Sequence, residues 1–207
     1  MGTATIARDR VRAPQVRTEV TRSRLIAAAG RIFVRDGFVA ASIEEIATRA
    51  GYTRGAFYAN FESKEALFLT LLEQRFHARL AELRGLLLKL ETEPERLRAL
   101  REHYINRSAD RSWALLMLEF KLFAIRNPEA RRKAIGAYRQ MRRLYRDFIG
   151  DLVPIHTPQL SSGVIGASLS ALANGLVVES MFDSACLAGA DLRQVLGVLF
   201  DRILAQG

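Results

Sequence analysis

Residues 37–64 read GFVAASIEEIATRAGYTRGAFYANFESK, and their spacing predicts two short helices joined by a tight turn, followed by the start of a third. Ser42 and Glu45 stand in the S-x-x-E relation of a capping box. In that motif each side chain satisfies a backbone N–H that a helix start leaves unpaired, so a helix is expected over about 43–49. Ala50, Gly51 and Tyr52 make the turn, and Thr53 can cap a second short helix through about Tyr58 or Asn60. Ile43, Ile46, Ala47 and Ala50 give the first of these helices an apolar face, and the small Ala47 lets a crossing helix come close. Phe57 and Phe61, four residues apart, are expected to turn inward and to leave Arg54, Gly55, Ala56 and Tyr58 outward.

That outward set suits the major groove of DNA. In a helix-turn-helix the second helix enters the groove with its N-terminal residues toward the base edges, which here means Thr53, Arg54 and Ala56. The Arg54 guanidinium can grip guanine O6 and N7 in a two-pronged contact worth about 1–3 kcal/mol of discrimination. Gly55 lets the backbone come close to the duplex. Ser42 and Lys64, at two helix starts, offer a hydroxyl, free N–H groups and a charge to phosphates, and the Tyr58 hydroxyl can do the same. The segment resembles the DNA-binding domain of the TetR family of transcriptional regulators. The resemblance rests on Gly37, Ser42, Ile46-Ala47, Ala50-Gly51, Gly55, Tyr58, Phe61 and Ser63-Lys64 at the family's spacing. Asn60 departs from the histidine frequent there, and an asparagine can still hydrogen-bond a phosphate.

The 207 residues are 49% hydrophobic and 26% charged, a globular composition with room for one large domain or two small ones. Net charge is +9 and pI about 10.4, which favours a polyanionic partner, although only four of the 31 basic residues are lysines and an arginine bias contributes. The charge is uneven: +4 over residues 1–65, +8 over 66–150 and −3 over 151–207. That asymmetry suggests one surface that meets polyanion and another that meets protein. The single Cys186 and the lack of a signal-peptide pattern point to a reducing, cytoplasmic setting. No uninterrupted apolar run is expected to span a membrane, since the nearest, Ser161 to Phe182, is broken by Asn174 and Glu179.

The periodicity predicts an all-α chain of about nine helices with no strand. Residues 1–17, with Arg8, Arg10, Arg12, Arg17 and Pro14, read as a flexible basic arm. A helix-turn-helix domain is expected over 18–65 and a second helical domain over 66–207. In the first helix Leu25, Ile26, Ala29, Ile32 and Phe33 share a face, and Gly37 stops it. Ser63 caps a long helix carrying leucines to Leu90. Further helices are expected over about 94–108, 112–126, 128–149, 160–182 and 190–205, with Pro154 and Pro158 in a loop.

The resemblance implies that the second domain binds a small-molecule effector and dimerises through its last two helices. On that reading the dimer interface would use Ile165, Leu169, Leu172 and Leu176 on one helix and Leu196, Leu199, Phe200 and Ile203 on the other. A pocket would gather Tyr104, Trp113, Met117, Phe120, Phe123, Met141, Tyr145 and Phe182 as lining, with His103, Glu119 and Asn174 among its polar fixtures. The arginines of 126–146 lie opposite Ile135, Tyr138, Met141 and Tyr145, usually a solvated face and otherwise an anion site. His77, His103 and His156 are far apart, and no phosphate loop or nucleophile elbow occurs, so neither enzyme chemistry nor a cofactor or metal is expected. The implied function is a homodimeric repressor, released from a palindromic DNA operator by its effector. A small-molecule binding protein with a vestigial helix-turn-helix and a nonspecific DNA-compacting protein remain as alternatives, separable by sequence-specific binding.

Overall fold

The structure, a computed structural model, describes residues 5–108, 110–152 and 161–204. These form α1 (Thr5–Ala40), α2 (Ile43–Arg49), α3 (Arg54–Tyr58), α4 (Lys64–Leu87), α5 (Glu93–Ser108), α6 (Arg111–Arg126), α7 (Pro128–Leu152), α8 (Ser162–Phe182) and α9 (Gly189–Leu204). Among the described residues there is no strand. The chain divides into two compact units, Met1–Leu72 and Glu73–Gly207, with the division inside α4.

Hydrogen-bonding side chains set most helix starts. Ser42 accepts from the Glu45 N–H at 3.1 Å, Thr53 from the Ala56 N–H at 3.3 Å and Ser63 from the Ala66 N–H at 3.1 Å. Asp110 caps α6 through the Trp113 N–H at 3.1 Å, and Ser161 caps α8. α5 begins at Glu93 rather than Pro94, because Thr92 and Glu95 make a capping contact: the Thr92 N–H and hydroxyl both donate to Glu95 Oε2, at 3.1 and 2.8 Å. The Ser42–Glu45 box closes by half only, since the Glu45 carboxylate pairs instead with Arg35, which also holds Asp36.

α1 reaches back to Thr5, so residues 5–17 are helical where an irregular arm was expected. Alanine and arginine there are good helix formers, and propagation from a helix already nucleated over 18–36 offsets part of the roughly 3 kcal/mol that Pro14 costs inside a helix. The side chains of Arg8, Arg10 and Arg12, and the loop with Pro154, His156 and Pro158, lie outside the described residues.

In the first unit α1, α2 and α3 close over Leu25, Ile26, Ala29, Ile32, Phe33, Ile46, Ala47 and Phe57, all buried. Phe33, Phe38 and Phe68 form an aromatic triangle with centroids 5.2–5.6 Å apart, which ties the start of α4 to the end of α1. Gly37 (φ 83°) and Gly51 (φ 81°) take left-handed backbone that an L side chain resists, and each marks a sharp change of direction.

In the second unit α8 lies against α6, α7 and α9, and α5 against α9. Leu83, Leu87, Leu100, Ile105, Ile149, Val177 and Leu192 are at its core. Gly163–Phe182 within α8 is, by length and composition, long and apolar enough to cross a bilayer, contrary to expectation. Asn174 and Glu179 are too few polar residues to break it, but its Ile165, Leu169, Ala173 and Val177 are buried in a protein core. Cys186 is exposed, in the turn after α8.

Candidate nucleic-acid interface

The exposed N-terminal end of α3 is the feature around which the first unit is built. Phe57 is fully buried and packs 5.8 Å from Phe61 and 5.5 Å from Tyr58, fixing the rotation of a helix only five residues long. With that face inward, Thr53, Arg54, Gly55 and Tyr58 are exposed and Ala56 half-buried. The Arg54 guanidinium sits 5.6 Å from the Tyr58 ring and donates to its hydroxyl at 3.4 Å, an interaction that raises its pKa further. The pair is held loosely enough to be exchanged for a stronger acceptor such as a base edge or phosphate.

Gly55 has no reason within the chain to be glycine. A Cβ built there meets nothing nearer than Thr53 Oγ1 at 3.7 Å, although glycine inside a helix costs about 1 kcal/mol against alanine. A bare backbone on the exposed face is what close approach to a partner requires.

Two residues expected to meet phosphate have work inside the unit. Lys64 Nζ donates to the carbonyls of Val39 at 3.0 Å and Ala41 at 2.8 Å, and lies 4.8 Å from the Phe38 centroid. It thus ties α4 to backbone carbonyls just after the break in α1, and its half-buried position lowers its pKa. Asn60 donates from Nδ2 to the Ala56 carbonyl at 2.8 Å, and its Oδ1 is buried without a partner. The side chain therefore closes the end of α3 rather than reaching outward. Arg22, which the sequence did not single out, braces the same corner. Its guanidinium lies 4.2 Å over Phe61 and donates to the Asn60 carbonyl at 2.8 Å and to Thr70 Oγ1 at 3.3 Å.

Residues 25–71 match the model of the bacterial regulatory proteins of the tetR family, and residues 93–205, more than half of the chain, match that of the BetI-type transcriptional repressor C-terminal domain. The chain belongs to the TetR family. Among curated relatives, the HTH-type transcriptional regulator YerO of Bacillus subtilis (strain 168) is 46% identical over 52 residues, covering 25% of this chain and 18% of YerO. The HTH-type transcriptional activator FasR of Mycolicibacterium smegmatis is 34% identical over 85 residues, 41% of this chain and 39% of FasR. The chain thus spans less than half the length of these curated relatives. In fold it is similar to the fatty acid degradation regulator FadR of Bacillus halodurans, with TM-score 0.67 and 18% identity over 90% of this chain and 95% of that one. In this TetR-family chain the match to the family's regulatory N-terminal region is followed by a helical unit that matches the BetI-type C-terminal domain.

In that second unit the structure scatters the expected pocket residues. Tyr104 is core: its hydroxyl donates to the Leu169 carbonyl at 3.0 Å, its ring lies 5.5 Å from Phe200, and burial raises its pKa to about 12. Met117 and Met141 are buried, and Met117 Sδ accepts from the Tyr138 hydroxyl at 3.6 Å. Phe182 is 88% exposed on the last turn of α8. Phe120 does line a groove, between α6 and α7. Trp113 lies under the Arg75 guanidinium at 4.2 Å, while Phe123, Glu119, Tyr145 and Asn174 are half-buried. His103 stands near Arg79 and Arg107, and burial with those charges lowers its pKa. Arg75 and Arg79 both pair with Asp110, and burial beside Arg75 and Arg107 holds Arg79 down at about 10.

The expected dimer residues also divide. Ile165, Leu169, Leu196 and Phe200 are buried in their own unit and are unavailable to a second copy, because α8 turns the 165–169–173–177 stripe inward. Leu176 and Ile203 pack on the edge of that core, and Leu199 is half-buried. Leu172, with Val164 and Val198, stays exposed. Among the described residues no three metal-ligating side chains come together.

Proposed function

We propose that this TetR-family regulator acts in the cytoplasm as a homodimeric repressor, placing one α3 in each of two successive major grooves of a palindromic operator. The observation that carries the reading is the exposed α3 N-terminus, where Arg54 and Tyr58 flank a glycine that nothing in the chain requires. Thr53, Arg54 and Ala56 face base edges, and Ser42, Gly55 and Tyr58 approach the phosphate backbone. Lys64 adds positive potential while holding α4 in place.

Exposed apolar residues on α8 and α9, Val164, Leu172 and Val198, support pairing of two chains through these helices. A two-fold axis then sets the α3 helices about 34–36 Å apart. An effector bound in the Glu73–Gly207 unit lowers operator affinity by its differential affinity for the DNA-competent and incompetent states. The BetI-type repressor match supports repression rather than activation. The test is selection of bound duplexes from a random pool by the purified chain, with light scattering for its mass. A single palindromic motif bound by a dimer is expected. A monomer, or a pool without a motif, contradicts the proposal.

A further inference from the structure

The arginine-rich helix α7 does not simply turn its charge to solvent. Arg131, Ala134, Ile135, Tyr138, Arg139 and Arg142 fall at steps of three, one, three, one and three, a single stripe of the helix. That stripe faces α6, where Phe120, Lys121, Ala124 and Ile125 lie opposite. Between them runs a groove of about 340 Å³, within the range of small-molecule sites. Its origin is legible in the residues: the buried Ala124 and Ala134 leave space where larger side chains would have filled the helix contact. The floor is apolar, with Phe120 almost fully buried, and Ile125 stays 64% exposed at the rim.

The charge at this groove is one-sided. Lys121, Arg131, Arg139 and Arg142 all line it and no carboxylate does. None of the four makes an ion pair among the described residues, whereas Lys133 and Arg146 on the same helix pair with Glu129 and Asp147. Lys121 is the least hydrated of them, and burial together with the nearby Arg142 lowers its pKa. An anion at that end would relieve both the burial of the ammonium and the repulsion between the two cations.

We propose that the α6–α7 groove binds a small amphipathic anion, its apolar chain lying along Phe120, Ala124, Ala134 and Tyr138 toward the hairpin turn and its head held by Lys121 and Arg142. The occupant is a soluble amphiphile with a carboxylate or phosphate head. This names a ligand class for the effector-binding unit, and as an effector it rests on the regulator reading above.

The experiment is calorimetric titration of the full chain, without DNA, with decanoate, decyl phosphate and decyltrimethylammonium. Saturable binding of at least one anion is expected, with no binding of the chain-matched cation. Arg142→Glu should weaken the anion at least tenfold. Arg143→Glu, an equal charge change at the exposed neighbouring residue outside the groove, should change it less than twofold. Lys121→Gln should weaken it as Arg142→Glu does, with an unchanged circular dichroism spectrum. Equal binding of the cation, equal effects of Arg142→Glu and Arg143→Glu, or sedimentation with phosphatidylglycerol vesicles without binding of either soluble anion overturns the proposal. Because the heat is read without DNA, a failed groove shows as the loss of anion binding or of its Arg142 dependence. A failed regulator reading shows separately, as no sequence-specific DNA complex.

Discussion

Replacing Lys64 by methionine separates two roles that one side chain could have. The methionine keeps an unbranched stem against the Phe38 ring, 4.8 Å from the ammonium in the native chain, and removes only the charge and its donors. What is lost is a pair of charge-assisted hydrogen bonds to the Val39 and Ala41 carbonyls, at 3.0 and 2.8 Å. Such bonds are worth about 1.5–3 kcal/mol each. Against this, the half-buried ammonium is poorly hydrated, as its lowered pKa shows, and its removal recovers part of that cost. A net loss of about 2 kcal/mol is expected, roughly a thirtyfold rise in local opening. Amide hydrogen exchange over the end of α1 and α2 reads it directly, and those segments should lose protection while α9 does not. Operator affinity measured across a salt series supplies the other arm. A residue tied to backbone should leave the salt slope unchanged, whereas losing one phosphate contact in each half of a dimer lowers it by about 1.8. Unchanged exchange with a slope reduced by about two would refute the internal role.

Three further outcomes follow from the same geometry. Gly55→Ala should leave thermal stability unchanged or raise it by about 0.5–1 kcal/mol, because the added Cβ meets open space, and should weaken operator binding; a melting curve and a gel-shift titration check both. Tyr104→Phe should cost about 1 kcal/mol in denaturant unfolding, as it removes the buried bond to the Leu169 carbonyl without changing the ring's packing on Phe200. His103 gives a pH dependence of defined sign. Its folded pKa lies below the ordinary 6.5, so the unfolded chain takes up the proton first. Stability from this site is therefore full above about 6.5 and falls as pH drops from there toward the folded value. His103→Gln should flatten the melting temperature between about pH 7 and 5, and an unchanged slope would count against it.

What could be read from the sequence was what local rules determine. Ser42, Thr53 and Ser63 cap because a hydroxyl three residues before a free N–H can hardly do otherwise, and Gly37 and Gly51 turn the chain because left-handed backbone favours glycine. The inward turn of Phe57 followed from its spacing to Phe61. Asn60 reaches the Ala56 carbonyl only four residues back, a contact open to local spacing, whereas the contacts of Lys64 to the Val39 and Ala41 carbonyls, 25 and 23 residues away, are chosen by packing that spacing does not encode. Arg22 escaped notice for the same reason: its contacts lie 38 and 48 residues away. On α8 the periodicity identified apolar positions but not which stripe faces inward, so Ile165 and Leu169 were placed at an interface although they are core. The Thr92–Glu95 cap was legible in the sequence, and Pro94 drew the helix start past it.

The proposed role of Arg54, at the start of α3, is to read a base edge on DNA. Its most direct test compares the base preferences of the native chain and Arg54→Ala on duplexes carrying every single substitution of the selected site. Arg54→Ala is expected to lose about 1–3 kcal/mol of discrimination at one symmetric pair of positions, one in each half-site, and to keep the rest of the profile. An Arg54→Ala profile that matches the native one at every position, with both proteins folded, would contradict it.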